Sequence, residues 1–168
     1  MRALPKNIVI VTGDPSLPDP TKENHAYGPE DLALHEEMRK AFASLGKFEF
    51  TVIERHEGLF DAIASIAPDL VVNFCDTGLN NRPEQEIHIA TQLEMMGIPY
   101  TGAPPRGMLY CYDKQLVRLV AAAMGVEVPA ETFVPADQVA TFAVTTFPAL
   151  IKPNTADGSV GITKDAVV

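Results

Sequence analysis

Two lysines stand where phosphate chemistry could be done. Lys152 closes the apolar run Leu150-Ile151 and is followed by Pro153 and a polar segment containing Gly158-Ser159-Val160-Gly161-Ile162. A lysine at a strand end beside a Gly/Ser loop can hold phosphates. The ammonium supplies charge, and glycine-flanked backbone lets N–H groups approach an anion closely. The residues alone leave a plain alternative open, an ordinary polar hairpin with a surface lysine. The chain has no G-x-x-x-x-G-K-[ST] loop, and no G-x-G-x-x-G follows its first apolar run. That disfavours a dinucleotide-binding domain.

Other reactive side chains form weaker patterns. His25, His35, His56 and His88 are scattered. Glu84 and His88 are four apart and would share a helix face, a spacing that can bind metal, but no third ligand accompanies them. A surface pair is the simpler reading. Cys75 and Cys111 show neither Cys-x-x-Cys nor zinc spacing, which fits small core or near-surface thiols in a reduced, cytoplasmic chain. Asp14 and Asp76 fall at expected strand ends, as acids do in a receiver-like domain. Glycine and proline flank Asp14, though, and a paired acid is missing there.

The elements that must position these groups follow from hydrophobic periodicity. Asn7–Thr12, Phe48–Ile53, Leu70–Phe74 and Ile98–Thr101 read as short strands. Between them lie helical stripes: Leu34, Met38, Ala41, Phe42 and Leu45; then Leu59, Phe60, Ile63 and Ile66; then Ile87, Ala90, Leu93 and Met96. The alternation predicts an α/β fold, a Rossmann-like parallel sheet of about four strands with flanking helices, over residues 1–104. Ligands of such sheets gather at the carboxyl ends of the strands. Here those ends include Gly13-Asp14, Cys75 to Asn81 and Thr101-Gly102. Residues 105–168 differ in pattern. A helix over Asp113–Met124 is followed by short strand candidates at Thr132–Val134, Phe142–Val144 and Pro148–Ile151. This second unit reads as unfinished, because a two-stranded element is marginal alone.

Composition bounds the function classes. The chain has 168 residues and is 46% hydrophobic and 21% charged, enough to bury a core. With 13 Lys+Arg against 22 Asp+Glu, its net charge of -9 argues against a general nucleic-acid binder. No apolar run reaches membrane-spanning length, so no membrane partner is expected.

Three blocks occur in order along the chain: Gly97-Ile98-Pro99-Tyr100-Thr101-Gly102; Tyr112-Asp113-Lys114 with a helix ending at Gly125-Val126-Glu127-Val128-Pro129; and Pro148-Ala149-Leu150-Ile151-Lys152-Pro153 with Gly158-Ser159-Val160-Gly161-Ile162. Together they resemble D-alanine–D-alanine ligase and its relatives in the ATP-grasp superfamily. The resemblance implies an ADP-forming ligase that joins a carboxylate to an amine through an acyl phosphate, with ATP and Mg²⁺ as cofactors and small amino-acid-like substrates. It implies that Lys114 and Lys152 reach the ATP phosphates. Ser159, with the backbone around Gly158 and Val160, would cover the phosphates and act catalytically. A cation at Lys114 opposes the helix dipole, a conflict that a phosphate would relieve. The resemblance also implies residues 1–104 as a pre-ATP-grasp domain, residues 105–168 as the start of an ATP-grasp lobe, and a homodimer through the first lobe. Metal ligands are expected downstream, so these residues alone are expected to be inactive.

The chain departs from the ligase pattern after its first and third strands. The first loop reads Gly13-Asp14-Pro15-Ser16 and runs into a Pro-rich stretch, where Glu23 or Glu30 would have to orient the amine. The second reads Cys75-Asp76-Thr77-Gly78-Leu79-Asn80-Asn81. The first amino acid is therefore open, and a paralogue with a substrate other than D-alanine fits as well. A non-catalytic α/β binding or regulatory module is the alternative function.

Overall fold

A computed structural model gives the structure of the protein and describes residues 4–155 and 162–168. The chain groups into two compact units, one ending at Pro105 and one beginning at Arg106. The first is α/β: β1 (Asn7–Val11), α1 (Pro29–Ala43), β2 (Glu49–Ile53), α2 (Leu59–Ile66), β3 (Leu70–Asn73) and α3 (Glu86–Met95). Its three strands are parallel in the order β2-β1-β3.

β1 is central because its residues are apolar on both faces, as a strand covered from both sides requires. Val9, Ile10 and Val11 are completely buried. Alternation sends Val9 and Val11 to one face, where they pack with Val71, with Leu59 and Ile63 of α2, and with Ile89 and Leu93 of α3. In register with Ile8 on the other face is Phe50, whose ring stacks on Phe42 of α1. α2 presents its expected Leu59–Ile63 pair to the sheet, whereas α3 buries Ile89 with Ala90 and Leu93 where Ile87 was expected.

α1 differs from its expected stripe. Leu34 and Leu45 are exposed, and the half-buried side carries His35, Met38 and Phe42. Glu54, just past β2, accounts for the rotation: it pairs with Arg39 at 2.6 Å and with His35 Nδ1 at 3.1 Å. These polar anchors turn the helix so that Phe42, rather than Leu34, meets the sheet.

The expected fourth strand is reduced to one parallel bridge between Val71 and Tyr100. Val71 N–H donates to the Pro99 carbonyl (2.8 Å) and Thr101 N–H to the Val71 carbonyl (3.0 Å). Pro99 offers no donor, and the chain turns away at Gly102 with φ +110°, so pairing ends there. Gly97 sets up this return. Its left-handed conformation (φ +68°) lets Ile98 N–H close on the Leu93 carbonyl at 3.0 Å, the C-terminal glycine turn of a helix.

The second unit holds α4 (Pro105–Tyr112) and α5 (Lys114–Ala123). α4 went unforeseen, although Pro105 is well suited to a first helical turn. The strands expected at Thr132–Val134 and Phe142–Val144 take part in no ladder or bridge among the described residues. Ala149 to Ile151 do pair antiparallel with Ala166 to Val168 through three hydrogen bonds of 2.7–2.9 Å. No described residue of this unit is buried. Among the described residues, no helix is long and apolar enough to cross a membrane.

Candidate functional site

At the carboxyl ends of the strands, the first unit buries a polar cluster. Thr12, Asp14, Asp19, His56, Thr77 and Asn81 are all buried. Thr12, Asp14, His56, Thr77 and Asn81 are tolerated because they bond to one another, whereas Asp19 accepts from the Thr21 N–H and hydroxyl. Asn81 accepts the Asp14 N–H at Oδ1 (2.9 Å) and donates through Nδ2 to the carbonyls of Asp14 (2.7 Å) and Leu17 (3.3 Å). The Asp14 carboxylate accepts the Ser16 N–H (2.9 Å), the Ser16 hydroxyl (2.6 Å) and the His56 N–H (3.0 Å). Burial alone would raise the Asp14 carboxyl, but these hydrogen bonds outweigh it, and it lies below its ordinary value.

Gly13 is where the loop must pass closest to its neighbours. A Cβ there would land on the Tyr27 hydroxyl and 2.6 Å from Thr77 Oγ1. Tyr27 lies over the strand end, bonded to Thr77, and burial pushes its hydroxyl well above the usual phenol value. The loop after β3 is strained. Asn80 (φ +59°) and Asn81 (φ +54°) are consecutive left-handed residues, each costing on the order of 1 kcal/mol. Glu23 and Glu30, the two acids considered for the amine, are both exposed. Sequence reasoning named Asp14 and the Cys75–Asn81 stretch but missed His56, Tyr27 and Asp19. His56 follows β2, so its place just past the carboxyl end of that strand is the signal that points to it.

Cys75 sits within this cluster, its Sγ 3.6 Å from His56 Nε2 and 3.3 Å from the Gly78 carbonyl. Burial pushes its thiol from 9.0 up to about 12, against a hydrogen bond to Thr77. The thiol is therefore a small core group and not a nucleophile. An alkylating reagent is expected to label exposed Cys111 in the folded protein and Cys75 only on unfolding. The unfolded thiol ionises near 9.0 and the folded one near 12, so its contribution is whole below pH 9 and is lost as pH rises toward 12. Mass spectrometry of labelled peptides across a urea series checks the order of labelling.

In the second unit, the N-terminus of α5 is tied to the segment that carries Lys152. Asp113 is the N-cap and accepts Leu116 N–H at 2.9 Å. Asn154 donates to Asp113 Oδ1 (3.0 Å) and accepts Gln115 N–H at its own Oδ1 (2.9 Å). Its carbonyl accepts Lys114 N–H (3.1 Å) and lies 3.5 Å from Lys114 Nζ. Lys114 and the Lys152–Thr155 stretch are thus brought together, while Lys152 itself is exposed. The first-turn N–H groups are satisfied from within. The Asp113 carboxylate, held low by Leu116 N–H and Asn154, also offsets the dipole. The dipole conflict foreseen at Lys114 is met by Asp113 and needs no phosphate. Gly158, Ser159 and Val160 lie outside the described residues.

The Glu84–His88 pair does not form: Glu84 sits in a separate short turn before α3 and pairs with Arg82 at 3.2 Å. Among the described residues, no group of three or more His, Cys, Asp or Glu could hold a metal ion.

No family model matches the chain. It is 34% identical over 128 residues to a D-alanine–D-alanine ligase of Acidiphilium cryptum, covering 74% of this chain and 41% of that protein. To the corresponding ligase of Azorhizobium caulinodans it is 28% identical over 123 residues, covering 73% of this chain and 39% of the relative. A solved D-alanine–D-alanine ligase of Bacillus anthracis, complexed with ATP, superimposes with a TM-score of 0.60 at 18% identity, over 97% of this chain and 50% of that one. At that identity the likeness speaks for the fold. The chain spans less than half the length of the curated relatives it matches. Over the part of them that it spans, the chain is similar in sequence to D-alanine–D-alanine ligases and shares their fold.

Proposed function

We propose that these residues form the first lobe, residues 1–104, and the opening of the ATP-binding lobe, residues 105–168, of an ADP-forming carboxylate–amine ligase. The observation that carries this reading is the Asp113–Asn154 lock. It holds Lys114 and the start of α5 against Asn154, two residues beyond Lys152 in the chain. The two ammonium groups suit the phosphates of ATP, and Ser159 with the backbone of Gly158 and Val160 completes the cover. Bound ATP supplies the phosphoryl group that activates a carboxylate as an acyl phosphate, which an amine then attacks. The chain's own part is to neutralise phosphate charge and to hold the small amino-acid-like substrate at the strand ends of the first unit. Mg²⁺ fits no group of the described residues, so its ligands are assigned outside them.

Titration calorimetry with ATP·Mg²⁺ and an ADP-release assay test this reading. The 168 residues alone are expected to bind more weakly than micromolar. A polypeptide extended to the relatives' length is expected to release ADP only when supplied with D-amino or D-hydroxy acids. Micromolar binding by the 168 residues overturns the division of labour. No amino-acid-dependent ADP from the extended polypeptide overturns the ligase reading.

A further inference from the structure

His56 makes contacts that packing alone does not require. Its Nδ1 faces the backbone N–H of Asn80 at 2.6 Å, and its Nε2 faces the Thr12 carbonyl at 2.9 Å. A backbone N–H can only donate and a carbonyl can only accept, so Nδ1 is the bare nitrogen and Nε2 carries the proton. The ring is the neutral Nε2–H tautomer. The His56 N–H is held in turn by the Asp14 carboxylate at 3.0 Å. One residue, sited just past β2, thereby joins the end of β1, the loop after β1 and the loop after β3.

The joined loops are the ones that need holding. Asn80 and Asn81 are both left-handed, and strained backbone persists only where its surroundings over-determine it. Asn81 is fixed by Asp14 and Leu17, whereas the Asn80 N–H is fixed by His56. The same two loops are the ones that depart from the ligase pattern.

We propose that His56 is a positioning residue whose neutral imidazole clasps the loops after β1 and β3 into the single geometry that receives the amino-acid substrate. The substrate clause rests on the ligase reading; the clasp itself does not. Two substitutions divide the ring's functions. His56→Asn places an amide oxygen near the Nδ1 position and keeps an acceptor for Asn80 N–H. His56→Gln reaches the Nε2 position and keeps a donor for the Thr12 carbonyl but gives up that acceptor.

Nitrogen chemical shifts of His56 in the unmodified 168-residue protein are expected to report the neutral Nε2–H tautomer, a measurement that needs no variant. The Asn80 amide should exchange with solvent about tenfold faster in His56→Gln and near the unmodified rate in His56→Asn, the loss expected for one hydrogen bond. In the extended polypeptide, KM for the amino acid should rise about tenfold in His56→Gln with kcat little changed, and recover in His56→Asn. The Nδ1–H tautomer, or equal Asn80 exchange in both variants, overturns the clasp. An unchanged KM in His56→Gln overturns its positioning of substrate. If the unmodified extended polypeptide shows no amino-acid-dependent ADP release, the ligase reading fails instead, and tautomer and exchange still decide the clasp.

Discussion

Lys152→Ala, in a polypeptide of ligase length, is expected to slow amino-acid-dependent ADP formation by about 10²–10³-fold, the usual loss when a preorganised stabiliser of developing charge is removed. The fold should not notice. Lys152 is exposed, and its backbone is held by neighbours on either side: Ala149 and Ile151 pair with Val168 and Ala166, and Asn154 bonds to Asp113 and Gln115. A change at such a side chain falls within about 0.5 kcal/mol. Lys114→Ala should instead raise KM for ATP more than it lowers kcat, and Ser159→Ala should cost less than Lys152→Ala because the loop's N–H groups remain. Steady-state kinetics with melting temperatures measured alongside separate these effects. Near-normal turnover in Lys152→Ala would assign the residue to an ordinary surface hairpin.

The largest effect on stability is expected at Asn81. Its amide is the partner of the buried Asp14 N–H and a second donor to the Asp14 carbonyl, and it also binds the Leu17 carbonyl. Truncation leaves the N–H without its acceptor, at about 1–3 kcal/mol for each orphaned buried group. Alanine at φ +54° adds on the order of 1 kcal/mol of backbone strain. Asn81→Ala is therefore expected to lose about 3 kcal/mol in urea denaturation, a large share of the margin of a typical domain. Asn81→Asp separates hydrogen bonding from shape. Aspartate tolerates the left-handed conformation and keeps Oδ1, but turns a charged oxygen toward the carbonyls of Asp14 and Leu17. It should be destabilised about as much. An Asn81→Asp protein within about 0.5 kcal/mol of the unmodified one would show that the amide donors contribute little.

Much of the first unit was legible because its periodicities are local. Asn7–Val11, Leu59–Ile66 and Leu70–Asn73 fall close to where apolar runs and stripes put them, and β-branched runs between helical stripes require a parallel sheet. On α1 the expected Met38 and Phe42 do lie on the half-buried side while Leu34 and Leu45 do not, because apolar residues nearly encircle the helix. The choice among them fell to Glu54, a residue on another element. The strands proposed at Thr132–Val134 and Phe142–Val144 failed for a related reason: a short apolar segment becomes a strand only beside a partner, and partners are not written locally.

The α/β rhythm, the likeness to ATP-grasp ligases and the two lysines were legible without coordinates, since each is a matter of residue type and spacing along the chain. Packing alone gathers His56, Asp14 and Asn81 into one buried network beside the half-buried Tyr27, and lets Asn154 lock α5 to the Lys152 segment. These partners lie between 24 and 67 positions apart in the first unit and up to 41 in the second. Hydrogen bonds over such separations are made by the fold, because a buried polar group takes whichever partner the packed sheet brings within about 3 Å.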